Sequence, residues 1–213
     1  MNILLVAATT EELPTNIHEQ FPMHNIELMI HGVGLMMCSY HLGHYFAKCT
    51  PPDLAIQIGI AGTFDKRLAL GDVVVVANEL LGDTGAEDHD TYHDIFDLGL
   101  IDNHQFPFQN KQLTNHHTSL FPSHLKRVNA ITVNMASGSL ATVQRRQALH
   151  IDIESMEGAA FHYAALCTGI PFIQLRAISN QVEPRDKSKW NISLALSNLH
   201  SELVSFIQHL PSS

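Results

Sequence analysis

The chain has 213 residues, 45% of them hydrophobic and only 15% charged, which suits one folded domain over residues 1–213 with a sizeable core. Twelve Lys and Arg stand against 21 Asp and Glu, a formal net charge of −9. Such a surface repels phosphate backbones and anionic headgroups, so neither nucleic acid nor membrane is an expected partner. No apolar stretch approaches the ~18 residues of a membrane span. The start carries no basic export-signal pattern, so a cytoplasmic place is expected. Cys38, Cys49 and Cys167 are odd in number and widely spaced, and read as buried reduced thiols.

In chain order, Ile3–Ala8 is a continuous apolar run and reads as a buried strand. A helix is expected from Glu11 to about Gln20. Ile26–Ile30 is a second strand, closed by His31-Gly32-Val33-Gly34. Leu35–Lys48 reads as a helix with Met36, Tyr40 and Ala47 on one side. Asp53–Ile58 is a third strand, closed by Gly59-Ile60-Ala61-Gly62. Gly71-Asp72 opens the strand Asp72–Ala77, whose Val73–Val76 run is the strongest strand signal in the chain. From Leu81 to about Phe121 the pattern weakens, and an active-site or oligomer-contact region is expected there. Arg127–Asn134 reads as a strand and Thr142–Leu149 as a short helix. A helix follows over Met156–Thr168, with Met156, Ala160, Tyr163 and Cys167 on one face. Pro171–Ile178 is another buried strand, Asn180–Lys187 a polar loop, and Ser188 a cap for a last helix, Trp190–Leu210. Strands alternating with helices predict an α/β domain around a mostly parallel or mixed sheet.

Ligands in such folds bind beyond the carboxyl ends of the strands. That rule selects five segments: Thr9–Glu12, His31–Gly34, Gly59–Gly62, Asn134–Ser139 and Ser179–Asp186. The glycine turns can bring backbone N–H groups close to a ligand or serve only as tight turns, and neither fits a phosphate-loop motif. Glu12 reads as a first-turn acid favoured by the helix dipole or as a site acid. Glu157, in Glu154-Ser155-Met156-Glu157-Gly158, sits among small residues at the mouth of the sheet. A carboxylate there suits a vicinal diol such as ribose. In the stretch from Arg176 to Trp190, an amide at a strand end is placed to read a flat polar ring, and an aromatic to cover it. His89 and His93, four apart, read as a solvated acidic loop rather than a zinc pair. The chain has no Gly-x-Ser-x-Gly elbow, which argues against a serine hydrolase.

Taken together, these motifs resemble the nucleoside phosphorylase and nucleosidase superfamily, and within it the futalosine hydrolases. The marks are Thr9-x-x-Glu12, Gly32-Val33-Gly34, Gly59-Ile60-Ala61-Gly62, Gly85-Ala86-Glu87-Asp88, Val133-Asn134-x-x-Ser137-Gly138, Glu154-Ser155-Met156-Glu157-Gly158-Ala159-Ala160 and Arg176-Ala177-Ile178-Ser179-Asn180-x-x-Glu183-x-Arg185-Asp186. The last two, in this order and spacing, are specific. The resemblance implies a three-layer α/β/α sandwich around a twisted, partly closed mixed sheet, assembled as a homo-oligomer. It implies cleavage of the N-glycosidic bond of a purine nucleoside by water, with no cofactor and no metal. By position, Glu12 resembles the residue that activates water, Met156 and Glu157 the ribose-binding pair, and Asn180 the residue facing N7 and the 6-position of the base. Trp190 takes the place of an aromatic lining the pocket, and Ile60, Ala61 and Gly62 line it from the turn that closes the third strand.

Two departures bear on the subclass. Phosphate-using relatives place a base and a hydroxyl around the Gly59–Gly62 turn, where this chain shows Gln57 and Ile60, so a dianion would lack its charge partner and hydrolysis is expected. Adenine-specific relatives carry Asp where this chain has Asn180, which favours hypoxanthine as leaving group. Arg185 is the nearest cation for the aryl carboxylate of futalosine. The competing expectations are a methylthioadenosine or adenosylhomocysteine nucleosidase, which Asn180 disfavours, and a non-catalytic purine-binding protein of this fold, which the retention of Glu12 and Glu157 disfavours.

Overall fold

The computed structural model describes residues 1–89 and 91–211. Strand β1 (Asn2–Ala7) pairs in parallel with β2 (Asn25–Ile30) and with β3 (Leu54–Thr63). Beyond them come β4 (Val73–Leu81), β8 (Lys126–Thr132), β9 (Ile153–Ser155) and β10 (Phe172–Gln181). The sheet order is β10-β4-β8-β9-β3-β1-β2, and β10 pairs with β3 as well as β4. Five strands therefore close into a ring, and β1 and β2 form an open wing on it. Parallel pairs (β3–β10, β4–β8, β8–β9) mix with antiparallel ones (β4–β10, β3–β9). Between β4 and β8 lie a small hairpin, β5 (Gly85–Asp88) with β6 (Thr91–Asp94), and the two-residue β7 (Leu113–Thr114) on β4.

Alternation along the strands sets the layers. Ile3, Leu5 and Ala7 of β1, with Leu54, Ile56 and Ile58 of β3, face α1 (Ile17–Gln20) and α5 (Ile192–Gln208). Leu4, Val6 and Ala55 face the opposite way, onto α2 (Leu35–Lys48) and α4 (Gly158–Thr168). Ala61, Val74, Val76, Val128, Ala130, Ile153 and Ile178 fill the ring itself. The result is the expected three-layer α/β/α arrangement around a partly closed mixed sheet. Each wholly buried Leu or Ile contributes about 1.5–3 kcal/mol.

Several local expectations are corrected. The helix expected from Glu11 to Gln20 is a 3₁₀ turn, Thr10–Glu12, then a break, then α1. Pro14 disfavours helical dihedrals at Leu13, which is extended (φ −84°, ψ 133°). Gly59-Ile60-Ala61-Gly62 does not close β3 but lies within it, paired to β10 on one side and, at Gly62, to Glu154 on the other. The last helix starts at Ile192 and is capped by Asn191, whose side chain accepts from Leu194 N (3.1 Å). Ser188 instead closes a short turn on Asp186. Met156 precedes α4, and Tyr163 and Cys167 face outward, as do Met36 and Tyr40 on α2. The buried stripe of α2 is Cys38, Leu42 and Tyr45, and only Cys38 of the three thiols is buried.

Candidate active site

The segments leaving the carboxyl ends of β1, β2, β3, β8, β9 and β10 converge on one cavity of about 290 Å³. Its walls include Glu12, Ile60, Ala61, Gly62, Met156, Glu157, Asn180 and Trp190. All five strand-end segments selected from the sequence contribute to it. Arg185 does not line it. That side chain is exposed, stacks on the Trp190 ring (5.4 Å) and borders an adjoining recess with Lys187 and Ile192. None of the described residues from Leu81 to Phe121 lines the cavity. Phe96, Phe108 and Leu113 of this irregular stretch pack against α4 instead.

Glu12 is buried at the floor. Its Oε2 accepts from Ala8 N (2.9 Å) and Thr9 N (3.1 Å), and its Oε1 from Ile60 N (3.4 Å). The chain turns directly after β1, so its first free N–H groups point back at the acid three residues on, as in a capping box. From α5, His200 Nε2 donates to the Glu12 carbonyl (2.9 Å) and ties the turn to the helix.

Arg176 of β10 is almost wholly buried against Gly59, and Glu12 Oε1 abuts the same glycine. A Cβ at position 59 would collide with the guanidinium, so glycine here makes room rather than a turn. Arg176 Nη2 donates to Gln57 Oε1 (2.9 Å), and Gln57 Nε2 donates to His31 Nε2 (3.1 Å). His31 Nδ1 donates to Gly32 O (2.8 Å), so its ring is neutral, and burial lowers its pKa to about 4. This corrects the charge argument drawn from the sequence. Gln57 lies beneath the cavity, and a cation, Arg176, stands beside it. Glu12 Oε1 lies against the same glycine as that cation.

Glu157 is the N-terminal cap of α4. Its Oε1 accepts from Gly34 N (2.9 Å), which leaves Oε2 free for a ligand. Asn180 follows a register shift in β10 at Ser179, a bulge that re-aims the strand end. Its Nδ2 donates to Gln181 O (3.0 Å), which settles the amide orientation because a carbonyl only accepts. Its Oδ1 accepts from Ser179 Oγ (2.9 Å). One N–H and one lone pair of Asn180 remain.

Another wall is a loop that the sequence marked as the strand-end segment Asn134–Ser139 and, in the resemblance, as Val133-Asn134-x-x-Ser137-Gly138. Arg146 of α3 (Leu140–Gln147) donates through Nη1 to Met135 O (2.9 Å), Ser137 Oγ (2.8 Å) and Glu154 Oε2 (3.1 Å). Glu154 accepts from Ser137 N (2.8 Å), and Asp83 holds Asn134 N (2.8 Å) and Met135 N (3.2 Å). Two carboxylates and one buried guanidinium thus clamp the loop. Nothing in the sequence reading pointed to Arg146 or Asp83. Among the described residues no group of three His, Cys, Asp or Glu is placed to hold a metal ion. No helix among them is long and apolar enough to cross a membrane.

The fold defines an α/β class with its cavity at the strand ends, and comparison with known proteins gives its family. Residues 22–208 match the phosphorylase superfamily. Two curated futalosine hydrolases are similar. That of Streptomyces coelicolor is 33% identical over 70% of this chain and 63% of its own length, so the match spans less than two thirds of that relative. That of Thermus thermophilus is 31% identical over 79% of this chain and 75% of its own length. Among solved structures, an S-adenosylhomocysteine nucleosidase from Streptococcus pyogenes in complex with 5-methylthiotubericidin superposes with TM-score 0.77 at 20% identity, covering 99% of this chain and 98% of the other. Futalosine hydrolase of Helicobacter pylori gives TM-score 0.75 at 17% identity, covering 99% and 98%. The chain belongs to the phosphorylase superfamily and, within it, to the futalosine hydrolase family.

Proposed function

We propose that this chain is a single-domain nucleosidase that hydrolyses the N-glycosidic bond of futalosine. It releases hypoxanthine and dehypoxanthine futalosine for the alternative route to menaquinone. The observation that carries this reading is the convergence of two buried carboxylates, Glu12 and Glu157, with a half-buried amide, Asn180, in one cavity.

Glu12, oriented by three backbone N–H groups, takes a proton from water as that water attacks C1′ of the sugar. Arg176, beside Gly59, helps orient the same water. The C1′–N9 bond breaks through an oxocarbenium-like transition state, and its electron pair leaves with the purine. The free Oε2 of Glu157 accepts from the ribose hydroxyls and stabilises the positive charge growing on the sugar. Met156 packs against the ring. Asn180 offers its remaining N–H to O6 and its remaining lone pair to N7–H, the pattern hypoxanthine presents once N7 is protonated. Asn180 has no proton to give up, so that proton comes from solvent. Trp190 covers the base. Arg185, with Lys187 in the recess beyond Trp190, pairs with the aryl carboxylate. Ile60, Ala61 and Gly62 supply a flat wall for the bound nucleoside.

Action in the cytoplasm and assembly as a homo-oligomer belong to the same proposal. The second is supported by exposed Met36 and Tyr40 on α2, and sedimentation of the purified protein tests it. For the activity, the test is release of free base. Hypoxanthine is expected from futalosine, with little from inosine and no adenine from methylthioadenosine. Adenine release as the faster reaction would sink the proposal. Tight binding of futalosine with no free base would point to a binder rather than an enzyme.

A further inference from the structure

A fully buried carboxyl group, Glu79 of β4, takes no part in the chemistry above. Its Oε2 accepts from Thr132 Oγ1 (2.8 Å), and its Oε1 lies 2.9 Å from Gln174 Nε2. Thr132 Oγ1 accepts in turn from Ala159 N (2.8 Å). Ala159 is the second residue of α4, the helix capped by Glu157. A Cβ on Gly158 would collide with Glu79 Oε1 and Gln174 Nε2, so the first turn of α4 rests directly on this pair. On the far side, His162 Nδ1 donates to Leu113 O (3.0 Å), which leaves Nε2 as the acceptor nitrogen of a neutral ring. That Nε2 has no partner, although the Gln174 side chain adjoins it, and Gln174 Oε1 has none either. Two partnerless acceptors in one closed interior call for an explanation.

A half-turn of the Gln174 amide would offer each of them a partner. The two ends of an amide have nearly the same shape, so the turn costs no packing. Turned, Gln174 Nε2 donates to His162 Nε2, and its Oε1 meets Glu79 Oε1. Two oxygens at that contact need a proton between them, and only Glu79 can carry it.

We infer that Glu79 is a neutral carboxylic acid and a positioning residue. It forms the proton-bearing link of a hydrogen-bonded chain that seats the start of α4, and with it Glu157. Along this chain Ala159 N–H donates to Thr132, Thr132 to Glu79, Glu79 to Gln174, Gln174 to His162, and His162 to Leu113. The surrounding charges are compatible. Burial, the largest influence, pushes the Glu79 carboxyl up to about 7. The bond from Thr132 and the charge of Arg176 on β10 oppose the rise, as does the Gln174 amide before it turns, while Glu157 adds to it. His162, the other titratable group of α4 at this contact, is held neutral, its pKa lowered to about 4 by burial. Because the folded-state pKa is raised, the Glu79 contribution to stability is complete in mild acid and is lost as pH rises through about 7. Above that, a new negative charge stands beside Glu157.

The test compares wild type, Glu79→Gln and Glu79→Ala. Glutamine donates to Gln174 Oε1 and accepts from Thr132 at every pH, whereas alanine does neither. Between about pH 5 and about pH 8.5 the Tm of wild type is expected to fall roughly 5 °C further than that of Glu79→Gln. Glu79→Ala is expected to be the least stable at the acid end. With futalosine, a readout that rests on the proposed function, Glu79→Gln should stay within about 3-fold of wild-type kcat/KM near pH 6. It should also keep more of that value above neutrality, while Glu79→Ala raises KM about 10-fold. A glutamine variant as damaged as the alanine one, or a stability gap that does not change with pH, means an ionised carboxylate and overturns the inference. Thermal unfolding needs no substrate, so failure to cleave futalosine counts against the proposed function and leaves the protonation state of Glu79 to be decided by the Tm comparison alone.

Discussion

The two faces of β3 and β10 carry opposite chemistries. Towards α5 they present Leu54, Ile56, Ile58, Ile173, Leu175 and Ala177, which meet Ala195, Leu199, Leu203 and Phe206. Towards α2 and α4 they present Gln57, Gln174 and Arg176 among Ala55 and Phe172, with His31, Glu79, Thr132 and His162 beside them. The apolar face carries most of the stability, because it removes hydrocarbon from water and leaves no polar group to satisfy. The polar face adds little net stability, since each internal hydrogen bond replaces one to water. What it adds is direction. Bonds with fixed geometry hold Arg176 against Gly59 and hold the start of α4 under Glu157. The apolar core and the polar layer that positions site residues are thus separated across the thickness of one sheet.

That separation can be broken from either side. The largest effect is expected from Glu12→Gln, which should lower kcat on the order of 100-fold or more and leave Tm close to wild type. Near-normal turnover would move the base elsewhere, Glu11 at the cavity rim being the first suspect. On the apolar face, Leu199→Ala should cost about 2–5 kcal/mol in denaturant unfolding, with kcat per folded molecule unchanged. A matching loss of kcat would mean that the two faces are coupled. Acid should attack the polar face selectively. His31 and His162 are held neutral, each with its pKa lowered from 6.5 to about 4, mainly by burial. A lowered folded-state pKa leaves their contribution intact above about 6.5 and loses it as pH falls towards 4. Tm should drop roughly 10 °C between neutrality and about pH 4.5, and less in His31→Gln. An acid-insensitive Tm would contradict the neutral assignments.

Smaller effects sharpen the contrast within the cavity. Asn180→Asp should shift the ratio of specificity constants for 6-oxo over 6-amino substrates by about 10- to 100-fold towards the amino form. A buried donor–donor mismatch costs roughly 1–3 kcal/mol, and a protonated Asp removes it. An unchanged ratio would mean that Asn180 does not face the base. Arg185→Ala should be the mildest, with KM for futalosine raised about 10-fold or less and inosine unaffected, because an exposed cation is well screened. Equal effects on both substrates would remove the assignment.

Most of the architecture was legible because alternation of hydrophobic residues is a local property. The bounds of α2 were read without error, and β1, β2 and β10 within a few residues. The strand-end rule found the cavity because loops leaving a sheet have nowhere else to meet. What failed did so for identifiable reasons. Pro14 outweighed the helical pattern around it. Gly59 and Gly62 looked like turn residues, yet they are strand residues whose missing side chains admit Arg176, Val182 and Asn180. Outward residues such as Met36 and Tyr163 are hydrophobic enough to pass for a core stripe.

The buried polar layer was invisible for a geometric reason. Val75 and Glu79 are four apart, so strict alternation puts them on one face. A register shift in β4 between Val76 and Asn78 reverses the parity, and Glu79 turns to meet Gln174 and Gly158 while Val75 stays on the α5 side. The sequence by itself determined the α/β class, the order of the longer strands and helices, the family, and which acids and amide were candidates for the site, since each of these is written in short-range pattern; the short strands β5, β6, β7 and β9 were not read from it. Only the tertiary structure decided that Arg176 stands beside Glu12, that Arg146 clamps the far wall, and that Arg185 lies outside the cavity. It alone also brought Glu79 under the start of α4. Those contacts run from Arg146 with Glu154, eight positions apart, to pairs more than a hundred apart such as Arg176 with Gln57, and which side chains meet is set by strand register, bulges and the closure of the ring, none of which has a local signature.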